Sequence, residues 1–563
     1  YAGQLSAGTM TAVSIAQNIF DGAAGDDATI LANKLIVAKA YTAAIDTASE
    51  VVAYSGTVAA ASARALLTTV DAATVTASFD VATSVASIVS VSNATPAVAG
   101  STIALTSTTD TLTGGAGADT FNGVIAAQGG DGSTALAGDT INGGDGIDTM
   151  IISATGLTTA DYSAAAITTT GIEKLYLSNF DTNGTQADTH TVDASLMTGL
   201  TTVGLSASGA NGDTDFTNLK NIVDAEMSNG SADLSVAYQA TVVAGTTDTQ
   251  NLAMSNQTAG NFTAASVETV AITSNTLANT LTTLTAADAT TIKMSGAAKL
   301  TITDDIEATV ANIATIDASG MTAAVSLVNN NTTTTATLGS ANDTYKTSAA
   351  VAADYSVDGG AGTDTISVTA ATVLDTAAET ARYLNFEELT INNLAAASAT
   401  SSQDMALLSG IDTVTIIAQD TTDGNAHATM TTALTNARAT TTVNVNGLST
   451  AENGHTFALA SSVATATDSA ADTVNLVLGT ATASSGADVT AATNAKVVHN
   501  FTASDAETIN VTSQGGANFL GTIDAADLTT LNVSGGKSLT MAAMSNNTLT
   551  SVVDASGLTG TAA

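Results

Sequence analysis

Hydrophobic and polar positions follow two different periods along this chain. Up to about residue 93 the apolar residues recur at helical spacing. Met10, Val13, Ile15, Ala16, Ile19 and Phe20 share one face. Ile30, Leu31, Leu35, Ile36, Ala38 and Tyr41 form a second stripe behind Asp26-Asp27, a pair suited to capping a helix start. Ala59–Leu67 and Ala72–Val89 carry similar stripes, so residues 1–93 are expected to form a small N-terminal α-helical domain. The stripes fit the core of a bundle. A membrane-surface helix is the sharper alternative, but the polar faces lack the Lys and Arg it would use.

Residues 94–104, around Pro96, read as a linker. From Leu105 onward the pattern becomes short apolar–polar alternation broken by Gly, Asn, Asp and Ser, the signature of β-strands. Glu-Thr-Val-Ala-Ile-Thr at 268–273 returns as Glu-Thr-Ile-Asn-Val-Thr at 507–512. Val192-Asp193-Ala194-Ser195, Ile316-Asp317-Ala318-Ser319 and Val553-Asp554-Ala555-Ser556 share another form. Units this short cannot bury a core alone and must stack. The expected fold is therefore mostly β, a parallel β-solenoid or β-roll, with a β-sandwich pair as the alternative. Longer repeats divide it. Asn261-Phe262-Thr263-Ala264 recurs as Asn500-Phe501-Thr502-Ala503, and Ile172-Glu173-Lys174-Leu175 resembles Phe386-Glu387-Glu388-Leu389. Two related arms are expected, 105–328 and 329–563.

Glycine and aspartate punctuate the start of the first arm on a fixed step. Asp110-Thr111-Leu112 precedes Gly114-Gly115-Ala116-Gly117-Ala118-Asp119, and Asp139-Thr140-Ile141 precedes Gly143-Gly144-Asp145-Gly146-Ile147-Asp148. In both, Asp-Thr-apolar recurs after nine residues, as in the calcium-binding β-roll pattern G-G-x-G-x-D. A third copy runs Gly359-Gly360-Ala361-Gly362-Thr363-Asp364. Calcium takes six to eight hard oxygens at about 2.3–2.6 Å. Glycines let the backbone turn and aim carbonyls at one point, and the aspartate adds charge. One turn supplies half a cage, and its neighbour completes it. The candidate ligands are these residues together with Gly130, Asp131, Asp343 and Asp358, and the expected cofactor is Ca2+. The plainer reading is ordinary Gly-Asp turns. Glu173, Glu268, Glu387 and Glu507 lack such glycines, which favours turn caps over further ligands.

Composition narrows the function. In 563 residues, 51 acidic and 12 basic side chains give a net charge of -39, so nucleic acid, whose phosphates need Lys and Arg on one face, is not an expected partner. Bound divalent cations would relieve the self-repulsion. Cysteine is absent, so thiolate sites and disulfides are excluded. Aromatic residues are 3%, fewer than a catalytic domain usually carries, and no run of apolar residues is long enough to span a membrane. A start at Tyr1 is expected of a processed or partial chain.

Catalytic signatures are missing. None of His190, His427, His455 and His499 belongs to H-E-x-x-H, and neither G-x-S-x-G nor a P-loop occurs. An Asp-rich β-helix could be a polysaccharide lyase or epimerase, but the Arg, Lys and rings that hold sugars are scattered here. A non-enzyme is expected.

The Gly114–Asp119, Gly143–Asp148 and Gly359–Asp364 motifs resemble RTX calcium repeats, and the Thr/Ala/Ser/Val-rich acidic solenoid resembles the surface-layer proteins of Gram-negative bacteria. Ala16-Gln17-Asn18-Ile19-Phe20 resembles part of a helical module found N-terminal in such proteins. The resemblance implies type I export, calcium-driven assembly into a two-dimensional lattice outside the cell, and attachment to lipopolysaccharide through the N-terminal helices. A secreted RTX-type adhesin acting as a discrete monomer is the alternative.

Overall fold

The structure, a computed structural model, describes residues 22–45, 50, 51, 54, 57–74, 76, 79–85, 99–126, 132–155, 162, 163, 166–179, 189–369, 374–394, 400–419, 430–438, 441–448, 456–465, 471–479 and 496–560. The chain divides into two compact units, Tyr1–Gly100 and Ser101–Ala563.

In the first unit, helix α1 spans Asp26–Ala43 and helix α2 Thr57–Thr68. Asp26 and Asp27 lie in the first turn of α1, where their charge faces the helix dipole, while Gly25 holds the cap position without a side-chain bond. Of the expected stripe Tyr41 is buried, beside Val37, whereas Leu35 and Ile36 are exposed. Of the helix expected over 72–89, residues 81–85 are helical and 72–73 form a turn. The stripe from Met10 to Phe20 lies outside the described residues. No described helix is long and apolar enough to cross a membrane.

The second unit is a parallel β-solenoid. It opens at Thr102, inside the stretch expected as linker. All described strand pairings are parallel, which excludes the sandwich alternative. Thirteen strands form one sheet, from Thr102–Ala104 to Tyr383–Leu384, and twelve form another, from Asn279–Leu281 to Val552–Leu558. Shorter sheets complete the coils. One has four strands and ends at Met197–Thr198. Two have six, from Tyr162–Ser163 to Leu284–Thr285 and from Thr400–Asp404 to Leu539–Ser545.

Period-two alternation puts every second side chain inside, and in-register stacking lines the inward residues into columns. Phe121, Met150, Leu175, Val203, Ala225, Leu252, Ile272 and Met294 are successive partners down the first long sheet. Leu389, Val414, Val443, Leu476, Val511 and Val533 form the same kind of column in the second. A fully buried Val, Leu, Ile, Phe or Met stabilises by about 1.5–3 kcal/mol. Small branched residues therefore build this core without many rings.

Polar devices hold the corners. Asn218, Asn385, Asn436 and Asn546 adopt positive φ, a conformation asparagine tolerates. Each donates its side-chain amide to an aspartate one coil earlier, to Asp193, Asp358, Asp404 and Asp524 at 2.7–2.9 Å. On the outward face Asn532 donates to Asn510 and Asn510 to Asn475, both at 2.8 Å.

The two related copies are not two bodies side by side. Between Asn279 and Leu384 the chain alternates between the two long sheets, so one ladder finishes as the other begins. Both ladders run past 328/329 without interruption: Thr315–Met321 pairs with Thr335–Thr337, and Val325–Val328 with Thr344–Thr347. The second copy thus places its Gly/Asp corners ahead of the second long sheet, where the first copy places them ahead of the first.

Candidate metal centre

Each motif aspartate is the last residue of a corner, directly before a strand: Asp119 before Thr120–Ala126, Asp148 before Thr149–Thr155, Asp343 before Thr344–Thr347 and Asp364 before Thr365–Val368. Coils stack above and below the corner, so all four aspartates are buried, at 0–1% exposure.

They form a hydrogen-bond ladder along the solenoid. The Asp119 N–H donates to Asp148 Oδ1 at 2.7 Å, and the Asp148 N–H donates to Glu173 Oε2 at 2.7 Å. In the second copy the Asp343 N–H donates to Asp364 Oδ1 at 2.7 Å and the Asp364 N–H to Glu387 Oε2 at 2.8 Å. The upper member of each ladder is fully capped. Asp119 accepts N–H bonds from Ser101 and Gly115, and Asp343 accepts them from Val325 and Gly339.

The lower member is not. Gly144 and Gly360 stand where Gly115 and Gly339 stand one coil earlier, but at φ of 100° and 94°. Their N–H groups are diverted to Asn142 Oδ1 and Asp358 Oδ1, at 3.2 and 3.0 Å. Oδ2 of Asp148 and Oδ2 of Asp364 are consequently buried and accept no hydrogen bond. A buried carboxylate oxygen in that state calls for a proton or a cation.

Carbonyls converge on the same places. A Cβ added to Gly143 would lie 1.8 Å from the Gly171 carbonyl oxygen and 2.4 Å from Asp148 Oδ2. A Cβ on Gly359 would lie 2.2 Å from the Asn385 carbonyl oxygen and 3.1 Å from Asp364 Oδ2. At Gly114 the corresponding neighbours are Gly143 O and Asp119 Oδ2. Gly146 and Gly362 pack on the carbonyls of Gly117 and Ala341. The donor set is oxygen throughout, as a hard cation requires. Among the described residues no three His, Cys, Asp or Glu side chains gather as a metal-binding group, so backbone carbonyls would supply most of any cage.

The remaining candidates divide. Asp110 and Asp139 form a parallel ladder on the other corner: the Asp110 N–H donates to Asp139 Oδ1 at 2.9 Å, and their carboxylates cap the N–H groups of Thr106 and Leu136. Asp145 is exposed and its N–H donates to the Gly115 carbonyl. Asp358 caps Gly360 and receives Asn385. Gly130 and Asp131 lie outside the described residues.

Sequence reasoning missed Asp248. Its Oδ2 is also buried without a hydrogen bond, and its N–H donates to Glu268 Oε2 at 2.8 Å. The signal was present as Asp-Thr at a strand start with Glu one coil later, in Asp148-Thr149/Glu173, Asp248-Thr249/Glu268 and Asp364-Thr365/Glu387. The carbonyl contributors Gly171 and Asn385 were missed too, because a carbonyl leaves no mark in the side-chain pattern.

The four glutamates act as turn caps: Glu173, Glu268, Glu387 and Glu507 accept the N–H of Asp148, Asp248, Asp364 and Asp472 at 2.7–2.8 Å. Glu268→Ala is expected to cost about 1–3 kcal/mol in thermal or urea unfolding, since a partly buried N–H loses its acceptor. Glu268→Gln keeps an acceptor and is expected to be near neutral. Equal losses in both would refute the cap.

The electrostatics follow the bonding. N–H bonds from Ser101 and Gly115 hold Asp119 below the usual carboxylate range. Burial pushes Asp148 up, helped by the charges of Asp119 and Asp145. Burial pushes Asp364 up to about 6, with Asp343, Glu387 and Asp358 adding repulsion, and burial likewise pushes Asp213 up to about 6. A carboxyl whose folded pKa is raised contributes stability that is complete below its unfolded pKa and is lost as pH rises through the folded value. Chelator-treated protein is therefore expected to melt higher at pH 4.5 than at pH 7.5, by about 1 kcal/mol per group after solvent screening. Asp213→Asn with Asp364→Asn should flatten that slope. A melting temperature that falls between pH 7 and 5 would show these carboxylates to be satisfied as anions.

No protein-family model matches the chain, and no curated protein matches it.

Proposed function

We propose that this protein is a non-enzymatic structural component of a bacterial surface layer, a calcium-stabilised solenoid that assembles into a lattice outside the cell. The observation that carries the reading is the duplicated orphan oxygen: Asp148 Oδ2 and Asp364 Oδ2, each buried beside a convergent carbonyl at the equivalent corner of the two copies. Calcium would be held by these carboxylates with neighbouring carbonyls, where it supplies positive charge to a chain of net charge -39.

The fold suits the role. Both long ladders share the coils between Asn279 and Leu384, so sheet pairing joins the two copies. Its outward faces carry rows of Thr, Asn and Ser, such as Thr249, Thr269, Thr291, Thr315 and Thr335 in successive coils. Such regular rows, with only scattered charges such as Lys293 and Asp317 between them, allow copies to pack side by side. Lipopolysaccharide is the proposed partner of the separate unit Tyr1–Gly100.

Calcium titration followed by electron microscopy and light scattering, with a chelator control, tests this. Ordered sheets that form with calcium and dissolve with chelator support the lattice. A chain that is ordered by calcium yet stays monomeric would replace it with the discrete adhesin. No response to calcium would remove both.

A further inference from the structure

The internal duplication exposes a place where the second copy departs from the first. Asp193-Ala194-Ser195-Leu196-Met197-Thr198-Gly199-Leu200 aligns with Asp404-Met405-Ala406-Leu407-Leu408-Ser409-Gly410-Ile411. Both segments begin alike. Asp193 and Asp404 cap the N–H of Ser195 and Ala406, at 2.9 and 3.0 Å, and both enter one turn of 3-10 helix.

They then part. In the first copy Met197–Thr198 extends and adds a parallel strand to Thr168–Thr170, with the Thr198 hydroxyl on the Thr169 carbonyl. In the second copy the strand equivalent to Thr168–Thr170 is Tyr383–Leu384, the last of the thirteen-stranded sheet. Leu408, the equivalent of Met197, is not extended (φ -117°, ψ 59°). Gly199 turns through φ 101°, whereas Gly410 is not among the glycines of positive φ.

A cleft of about 530 Å³ fills the gap, lined by apolar side chains including Leu374, Leu384, Phe386, Ala406 and Leu408 together with a somewhat larger polar surface. Leu384 stands 44% exposed at its lip. Arg438 ties down the chain's own segment beside it. From the next coil its guanidinium donates to the carbonyls of Leu408, Ser409 and Ile411 and pairs with Asp412 at 2.9 Å. Lys220, which has no guanidinium fork, stands at the equivalent place in the first copy.

From this contrast we infer that the cleft is a peptide-binding site, which takes an extended uncharged segment of another polypeptide as an added parallel strand on Tyr383–Leu384. The occupant's backbone pairs with the sheet edge, and one apolar side chain enters the cleft at the register that Met197 holds in the first copy. Glu387 is the one charged side chain of the lining and its Oε2 is engaged on the Asp364 N–H, so the cleft has no cation to receive an acidic segment and only an occupied carboxylate to receive a basic one.

The test uses the full chain and a fluorescent synthetic peptide with the sequence of residues 194–200. Saturable binding by anisotropy is expected, at least tenfold weaker for the peptide with proline in place of its methionine. Ala406→Trp, which fills the cleft, is expected to weaken binding at least tenfold with an unchanged melting temperature. Arg438→Lys should weaken it as well, by letting Leu408–Ser409 close on the edge. Absence of saturable binding, equal binding of the proline peptide, or full binding by Ala406→Trp would overturn the assignment. So would a Leu384→Cys/Ser409→Cys pair that oxidises readily in the wild-type background, since that places the chain's own segment in the cleft.

Discussion

Chelating calcium is expected to lower the stability of the solenoid by several kcal/mol, and the loss should trace to two side chains. A site that binds the folded chain alone contributes about 2.7 kcal/mol when calcium is at a hundred times its Kd, so two equivalent corners contribute about 5 kcal/mol together. The double variant Asp148→Asn/Asp364→Asn is expected to gain nothing from calcium. In chelator it should melt no lower than the wild type and could melt higher. The reason is local: Oδ2 of Asp148 sits beside the Gly171 carbonyl without a hydrogen bond, and an amide N–H2 there is a donor facing an acceptor. Asp119→Asn/Asp343→Asn is the control, because those carboxylates are fully occupied by N–H groups and an amide can replace only one acceptor oxygen. Thermal melts across a calcium titration read all of this. A wild type indifferent to calcium, or a double variant that keeps the full gain, would sink the reading.

Gly144→Ala is expected to cost about 3–5 kcal/mol, from an unfavourable positive φ added to a steric clash in a packed corner. Its φ is 100°, and a Cβ there would lie 2.2 Å from the Gly115 carbonyl oxygen. Gly360→Ala should behave alike, with φ 94° and a 2.1 Å approach to Gly339 O. Gly115→Ala, one coil earlier, is expected to cost about 1 kcal/mol or less, since its Cβ would meet only Asp119 Oδ2 at 3.7 Å. The motif treats these glycines as equivalent, and the stack does not. Comparable melting temperatures for Gly115→Ala and Gly144→Ala would show that the corner relaxes freely and that the diverted N–H is not held in place.

This difference shows how far the pattern could be read. The G-G-x-G-x-D spacing located Asp119, Asp148 and Asp364 at corners and put their following residues into strands, all of which the fold displays. The same spacing could not say which aspartate would be left with an unbonded oxygen. That depends on whether the glycine N–H turns to the carboxylate, as at Gly115, or away to Asn142 or Asp358, as at Gly144 and Gly360. Asp343 lies in Gly339-Ser340-Ala341-Asn342-Asp343, which lacks the glycine pattern, yet it repeats the bonding of Asp119. Asp248 went unseen for a related reason. Its partner Glu268 lies 20 residues on, whereas Glu173 lies 25 beyond Asp148 and Glu507 35 beyond Asp472. Coils of unequal length hide a contact that a fixed period would reveal.

The sequence by itself determined the stacking architecture. Alternation with a period of two is a property of the extended backbone, so it is written residue by residue in runs such as Thr269-Val270-Ala271-Ile272-Thr273. It also marked most of the corners, because glycine and asparagine reach the left-handed conformations they need most readily, although Ala207, Ser266 and Thr276 adopt them too. Tertiary structure alone decided how the two copies share one body, their ladders overlapping between Asn279 and Leu384. It alone decided that Met197–Thr198 pairs with Thr168–Thr170 while the Leu408 carbonyl accepts a hydrogen bond from Arg438 of the next coil. Those outcomes turn on which groups face each other across neighbouring coils, and that choice is made by packing rather than by any local run of residues.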